Sequence, residues 1–187
     1  MSALANTSWQ DDAIECVNAA FTRVAYPGDN AIVEATSFRD LEREAIAASL
    51  KGTDWRDLTY VRLKQIYRGD ASAILAFLSL PGFHFYFPAF LLISLREYET
   101  ADLTAHSSIL AFCSSSNTLA DWQARRCAVF TQNQLIAIRT VFTALHSEQY
   151  GQFRAEQGDE DECLRELLFG DLGEAIVKVS SLIGEFD

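Results

Sequence analysis

The chain has 187 residues and carries 15 Lys+Arg against 26 Asp+Glu, which gives a formal net charge of −11 at pH 7. A chain of this length can bury about 70% of its unfolded surface in one core, and 49% hydrophobic residues with only 3 Pro exclude a disordered protein. Nucleic-acid binding needs a basic footprint, yet no run of adjacent basic residues is longer than Arg125-Arg126. Nucleic acid and anionic lipid are therefore poor partners.

The negative charge is concentrated at one end of the chain. Residues 148 to 187 carry 11 acidic and 3 basic residues, a net charge of −8, whereas residues 1 to 147 have a net charge of −3. The sequence thus predicts an acidic C-terminal segment on a nearly neutral body.

The cysteines and the N-terminus indicate a compartment. No CxxC pair is formed by the four cysteines, which are Cys16, Cys113, Cys127 and Cys163, and the N-terminus lacks the pattern of a secretory signal. Both features predict a reduced, cytoplasmic protein whose thiols are buried rather than bridged.

Two amphipathic helices are predicted at the start of the chain. The first begins near Thr7 or Ser8, which can cap its free amides, and extends to about residue 24. Its predicted buried stripe is Ile14, Val17, Phe21 and Val24. The second helix covers about residues 34–50 and ends at Lys51-Gly52. Its predicted buried face is Phe38, Leu41, Ala45 and Ala48.

A third helix, capped by Asp54, is predicted to extend to about Arg68, and an uncharged stretch follows it. Residues 71 to 95 contain no Asp, Glu, Lys or Arg, a length that could in principle span a bilayer. Because Pro81 and Pro88 interrupt this stretch, we expect two buried helices joined by an extended aromatic elbow at Phe83 to Pro88, and a membrane span is a weaker alternative.

The remainder of the chain also predicts helices. One begins at Asp102 or Thr104 and reaches Phe112, and Ser114 to Asn117 form a loop. Thr131 and Gln134 fit a capping box, so a strong helix is predicted over about 132–148 with Leu135, Ile138 (or Ile136), Phe142 and Leu145 inward. The acidic run from Asp159 to Glu162 begins a further segment that ends at Gly170. A last helix over about 172–184 buries Leu172, Ile176, Val179 and Ile183.

These elements predict an all-α protein, a single-domain bundle of seven to nine helices over residues 1–187. Its body covers about residues 9–147, and its acidic helical segment covers about 148–187.

Several short patterns resemble a bacterial family that is known as a domain of unknown function. They are Tyr26-Pro27-Gly28-Asp29, Glu44 before Lys51-Gly52-x-x-Trp55, Ile74 to Ser79, Phe83 to Leu91, and Phe130-Thr131-x-x-Gln134-x-x-Ala137-Ile138. The family motif is an aromatic-Tyr-Leu-Pro-Ala-Tyr-like stretch, here Phe85-Tyr86-Phe87-Pro88-Ala89-Phe90. The resemblance covers roughly residues 9–147 and implies a soluble, helical, bacterial protein, and it implies no activity.

Candidate site residues come from the aromatic elbow and the acidic run. His84 beside Tyr86 could act as an acid or base, and Trp55 with the elbow could form a recognition surface, although all three also suit a packed core. The candidate binding residues are Trp55, His84, Tyr86, Asp159, Glu160, Asp161 and Glu162. The three histidines share no ligand spacing, and no nucleophile elbow, phosphate loop or dinucleotide motif is present. No catalytic residue, metal or cofactor is therefore predicted.

Two functions of different classes remain. The first is an acidic binding or regulatory protein, such as an immunity protein or antitoxin, that is steered by its charge onto a basic partner. The alternative is a small-ligand binder or enzyme with a pocket near His84 and Tyr86. Self-association through the acidic segment is also open.

Overall fold

A computed structural model describes residues 8–101, 103–112, 120–157 and 162–184 and confirms an all-α, multi-helix fold. In this part of the chain, the helices are α1 (Ser8–Phe21), α2 (Leu41–Leu50), α3 (Tyr60–Ile66), α4 (Ile74–Phe77), α5 (Leu80–Arg96), α6 (Tyr98–Ala101), α7 (Leu103–Leu110), α8 (Ala120–Cys127), α9 (Gln132–Gln157) and α10 (Glu162–Gly184). Short 3-10 turns cover Asp29–Ala31, Trp55–Asp57 and Ala71–Ala73. The β-pairing among these residues is a single antiparallel bridge between Val33 and Leu78.

Helix α5 is the central element of the core. Every residue from Gly82 to Leu95 is buried except His84, which is half-buried. A helix that is apolar on all sides must be covered on all sides, and α5 is contacted by α1, α6, α7, α8 and α9. The central position of α5 places the aromatic motif inside the protein.

The predicted extended elbow is wrong, because Phe83 to Pro88 form part of one continuous α-helix. The helix begins at Leu80, well before Pro88. At this start, the Ser79 side chain accepts a hydrogen bond from the Gly82 backbone amide at 3.0 Å. Pro81 lies in the first turn, where a missing amide costs nothing. The single hydrogen bond lost at Pro88 is outweighed by burial of the surrounding aromatic side chains.

The predicted helix before α5 is also shorter than expected. Ala71–Ala73 form a 3-10 turn, α4 is a single turn, and Leu78 is extended. Side chains from two other helices satisfy the carbonyl groups at the end of α4. Arg126 donates to the carbonyl oxygens of Leu75, Ala76 (3.1 Å) and Leu78 (2.8 Å), and Arg43 donates to that of Phe77 (3.4 Å).

Helix α8 was not predicted, and its best-buried side chain is the cation Arg126, which is 2% exposed. The guanidinium carbon lies 3.7 Å from the ring centroid of Trp122 and 4.5 Å from that of Phe83. Burial lowers the pKa of Arg126 to about 9, so the group is still charged at neutral pH. Only Arg125 of this basic pair is exposed, which further weakens any basic surface.

The prediction for α2 is wrong in its start and in its buried face. The helix begins at Leu41 because the Asp40 side chain accepts from the amides of Glu42 and Arg43 as an N-cap. Phe38 and Leu41 are 68% and 67% exposed. Ala45 and Ala48 are exposed too, whereas the buried residues of this helix are Ile46 and Leu50. The C-terminal prediction is confirmed, since Gly52 has a φ of 65°.

The third predicted helix is divided into two elements. Asp54 caps the 3-10 turn Trp55–Asp57, as expected, and Thr59 caps the separate helix α3. Leu63 is buried in α3, whereas Val61 is 59% exposed. The break follows from the extended conformation of Leu58, which lies between the two caps.

The two long helices at the end of the chain agree best with the sequence. Helix α9 begins at Gln132 as predicted, and all four predicted inward residues (Leu135, Ile138, Phe142 and Leu145) are buried. It extends to Gln157, beyond the predicted end at about residue 148. Helix α10 buries Leu172, Val179 and Ile183, with Ile176 half-buried. Gly170 does not end a helix, because α10 continues from Glu162 to Gly184. Among the described residues, no helix combines the length and apolar character that a membrane crossing requires.

Candidate functional site

His84 lies at a junction of three helices. Its Nε2 is 3.0 Å from Oε1 of Gln134, at the start of α9. Because an amide oxygen only accepts, this contact places a proton on Nε2 and directs it into the protein. The imidazole also meets the rings of Phe21 and Phe130 edge-on, with centroids 6.4 and 5.7 Å away. His84 is therefore held by packing on one side and by Gln134 on the other.

Gln134 extends this junction to α1. Its Nε2 donates to the Ala20 carbonyl at 3.4 Å, and its Oε1 accepts from the Thr131 amide at 3.0 Å. The backbone amide of Gln134 in turn donates to the Thr131 hydroxyl at 3.4 Å, which confirms the predicted capping box. One amide side chain thus connects α1, α5 and α9.

Tyr86 points away from His84, toward the end of α2. Its hydroxyl donates to the carbonyl oxygens of Leu50 (2.7 Å) and Thr53 (3.2 Å). Burial raises the pKa of Tyr86 well above its usual range, so the phenol stays protonated. His84 and Tyr86 are two positions apart on a helix and face opposite sides. The structure therefore does not bring them together in one pocket.

A polar cluster lies on the surface near Tyr86, formed by Tyr26, Asp29, Lys51 and Gly52. Tyr26 donates to Asp29 at 2.7 Å and accepts from the Gly52 amide at 2.9 Å, while Lys51 lies 3.1 Å from Asp29. These hydrogen bonds lower the pKa of Asp29. The cluster joins the turn after α1 to the end of α2, and all its polar groups have partners.

Trp55 is fully buried and belongs to the core. Arg56 covers its ring, with the guanidinium carbon 4.5 Å from the ring centroid. Its indole Nε1 is the one buried side-chain nitrogen or oxygen without a partner in the described part of the chain. A residue that is 0% exposed cannot form the proposed recognition surface without a rearrangement.

The acidic run lies mostly outside the described residues. This applies to Asp159, Glu160 and Asp161, while Glu162 is the first residue of α10. Further along α10, Oδ2 of Asp171 accepts a hydrogen bond from Nε2 of His106 of α7 at 3.2 Å. The acidic segment is thus attached to the body through α9 and through α7.

A groove between α1 and α9 was not predicted from the sequence. It has a volume of about 550 Å³, and its lining residues are Trp9, Asp12, Arg139, Thr140, Thr143, Ala144, Ser147 and Glu148. This volume lies within the range of small-molecule sites, about 300 to 1,000 Å³. The contact between Gln134 and Ala20 joins the start of α9 to the end of α1, so the two helices are antiparallel here.

The α9 wall of the groove carries a regular polar row. Arg139, Thr143 and Ser147 are spaced four residues apart and therefore lie one above another on the helix. Trp9 and Asp12, three residues apart on α1, form the facing wall. These spacings are present in the sequence, but the two rows are far apart in the chain and only the fold places them side by side.

No group of three or more His, Cys, Asp or Glu side chains suited to a metal occurs among the described residues. The described residues thus define an all-α protein whose most distinctive side chains serve packing.

The chain belongs to a family whose description is "Family of unknown function (DUF6714)", which matches residues 9–160. This confirms the membership in a family of unknown function that the sequence patterns indicated. No curated protein and no solved structure matches the chain.

Proposed function

We propose that this protein is a binding or regulatory protein for a basic protein partner in a bacterial cell, in the manner of an immunity protein or antitoxin. The observation that carries this proposal is the net charge of −8 on residues 148 to 187, within a chain of net charge −11. An excess of one sign on one segment accelerates association with an oppositely charged surface and selects against acidic partners.

The packing of α10 supports this use of the segment. Helix α10 contacts α9 and α7 and buries Leu172, Ala175 and Val179. Glu174 and Val177 of the same helix are exposed, and Val177 is 71% exposed. An apolar side chain beside an acidic one suits a partner whose basic residues surround a small apolar contact.

The alternative, an enzyme or small-ligand site at His84 and Tyr86, has weaker support. Both side chains are hydrogen-bonded within the scaffold, and they face opposite sides of α5. This alternative predicts that a ligand raises the melting temperature and that His84→Ala removes the effect. A flat response across a metabolite panel would end it.

We also propose that the protein is located in the reducing cytoplasm. Cys16 and Cys127 are free thiols, and Cys127 is buried. Burial raises the pKa of Cys127 to about 11, which keeps this thiol protonated and unreactive. Labelling of the native protein with a thiol reagent should therefore leave Cys127 unmodified.

The first experiment identifies and then measures the partner. The tagged protein is used to capture proteins from the source cells at low and at moderate salt, and the captured protein is then purified and titrated by calorimetry. Salt screens the attraction between the two proteins, and the Debye length falls to about 8 Å at physiological ionic strength. The dissociation constant should therefore rise at least tenfold from low to moderate salt. A partner whose affinity does not depend on salt contradicts charge steering.

Charge variants then locate the surface. The test variant neutralises four acids of the segment through the substitutions Asp159→Asn, Glu160→Gln, Asp161→Asn and Glu162→Gln. The matched control neutralises four exposed acids of the body through Glu15→Gln, Glu34→Gln, Asp57→Asn and Asp121→Asn. We expect the association rate to fall only in the first variant, and equal effects of the two variants would refute the assignment to the acidic segment.

A further inference from the structure

We propose that the groove between α1 and α9 binds a small zwitterion, namely a free amino acid with an apolar or aromatic side chain. This inference is independent of the proposed partner surface, because it depends on Asp12 of α1 and Arg139 of α9, which precede the acidic segment. Of the described residues that line the groove, only Glu148 belongs to the acidic segment, and it already has an interaction partner.

The argument begins with two unpaired charges in the groove. Among the described residues, the side chains of Arg139 and Asp12 make no hydrogen bond or ion pair, although both line the same groove. Arg139 is half-buried, so part of its hydration is already lost. A guanidinium in such a place gains from a carboxylate ligand that accepts two of its hydrogen bonds.

The presence of Asp12 narrows the class of ligand. A simple anion would be attracted by Arg139 but repelled by Asp12, and a simple cation would be attracted by Asp12 but repelled by Arg139. The two side chains are more than 4.0 Å apart, since they form no salt bridge with each other. A ligand with both a carboxylate and an ammonium group satisfies both charges at once.

The remaining walls suit the body of such a ligand. Trp9 is half-buried and packs against the core, which fixes its indole at the groove. An indole offers a flat apolar surface for an aliphatic or aromatic side chain. Thr143 and Ser147 continue the row that starts at Arg139, and neither hydroxyl has a hydrogen-bond partner among the described residues. These hydroxyls can bind the second carboxylate oxygen or an ordered water.

The test is a binding measurement with amino acids and their blocked derivatives. Each of the protein amino acids is first screened against the full chain by thermal shift at about 10 mM, where a native-state ligand raises the melting temperature. Calorimetry then compares L-phenylalanine with N-acetyl-L-phenylalanine, which lacks the cation, and with L-phenylalaninamide, which lacks the anion; the corresponding derivatives are used if another amino acid gives the largest shift. We expect each blocked derivative to bind at least tenfold more weakly than the free amino acid.

Substitution of either charged residue in the groove should remove the discrimination against one of the two blocked derivatives. Arg139→Gln should weaken binding of the free amino acid at least tenfold and remove the discrimination against the amide. Asp12→Asn should do the same for the N-acetyl derivative. The controls Arg62→Gln and Asp57→Asn remove the same charges at exposed positions outside the groove and should leave binding unchanged. Melting temperatures of the free variants verify that each one is folded.

Two results would overturn this proposal. One is the absence of saturable binding for every amino acid, and the other is binding that Arg139→Gln and Asp12→Asn affect no more than their controls do. The variant of Asp159 to Glu162 should retain full amino-acid affinity, because it leaves Asp12 and Arg139 unchanged. Failure of the zwitterion site and failure of the partner surface are therefore distinguishable.

Discussion

Replacing Arg126 by lysine tests how the buried guanidinium supports the fold. Arg126 donates to three carbonyl oxygens around the end of α4 and lies over the rings of Trp122 and Phe83. Arg126→Lys keeps the positive charge but replaces a planar group of five N–H donors by a compact ammonium. The ammonium cannot reach three carbonyls and stack on a ring at the same time.

The expected loss follows from these contacts. Each hydrogen bond from a charged donor contributes about 1.5 to 3 kcal/mol, and each ring contact contributes about 0.5 to 2 kcal/mol. If the ammonium retains one or two carbonyls and loses most of the stacking, the free energy of unfolding falls by about 3 to 5 kcal/mol. For a chain of 187 residues, this corresponds to a decrease in melting temperature of about 6 to 20 °C.

The measurement is chemical and thermal unfolding followed by circular dichroism, and the neighbouring residue provides the control. Arg125→Lys is the same substitution at an exposed position. We expect it to lower the free energy of unfolding by less than about 0.5 kcal/mol. If Arg126→Lys lowers the free energy of unfolding no more than Arg125→Lys does, the claim that hydrogen bonds from the planar guanidinium hold α4 in place is refuted.

Three further predictions concern single buried groups. Tyr86→Phe removes the donor from two carbonyl oxygens at the end of α2, so urea unfolding should show a loss of about 1 to 3 kcal/mol, and no loss would contradict this hydrogen bonding. Gly82→Ala places a Cβ 2.0 Å from the Ile32 carbonyl oxygen, which should cost about 3 kcal/mol or more, whereas Gly173→Ala meets nothing within 4 Å and should not destabilise the protein. Burial raises the pKa of Cys127 from 9.0 to about 11, so the native thiol holds its proton after the unfolded one has lost it. Stability should therefore fall between pH 9 and 11 by about 1.4 kcal/mol per pH unit at most, and Cys127→Ala should lack this part of the slope.

The helices that were predicted best, α1, α9 and α10, each have one buried face. In α1, α9 and α10, apolar residues at steps of three and four alternate with polar ones, so the periodicity marks the buried side. Helix α5 is buried on all sides, and for such a helix the period carries no information. The prolines then favoured an interruption that packing overrides, because one lost hydrogen bond is small beside the burial of this many aromatic side chains.

Other features could not be predicted because they depend on long-range contacts. Arg126 is a cation in a polar stretch, and only the fold shows that carbonyl oxygens replace its water. Phe38 is apolar but lies before the N-cap Asp40, where the helix and its inward face have not begun. The groove likewise depends on the pairing of α1 with α9, so Asp12 and Arg139 gave no local signal.

The motif residues mainly serve the scaffold, and this bears on what family membership predicts. Tyr86 holds the end of α2, Gln134 joins three helices, and Trp55 fills the core. These residues support the helical scaffold of this chain, and both proposals therefore concern its exposed surfaces. The groove lies within the matched residues 9–160, whereas the acidic segment extends beyond them. An amino-acid site would accordingly be testable in other members of the family, while a basic partner would be a property to establish for this chain on its own.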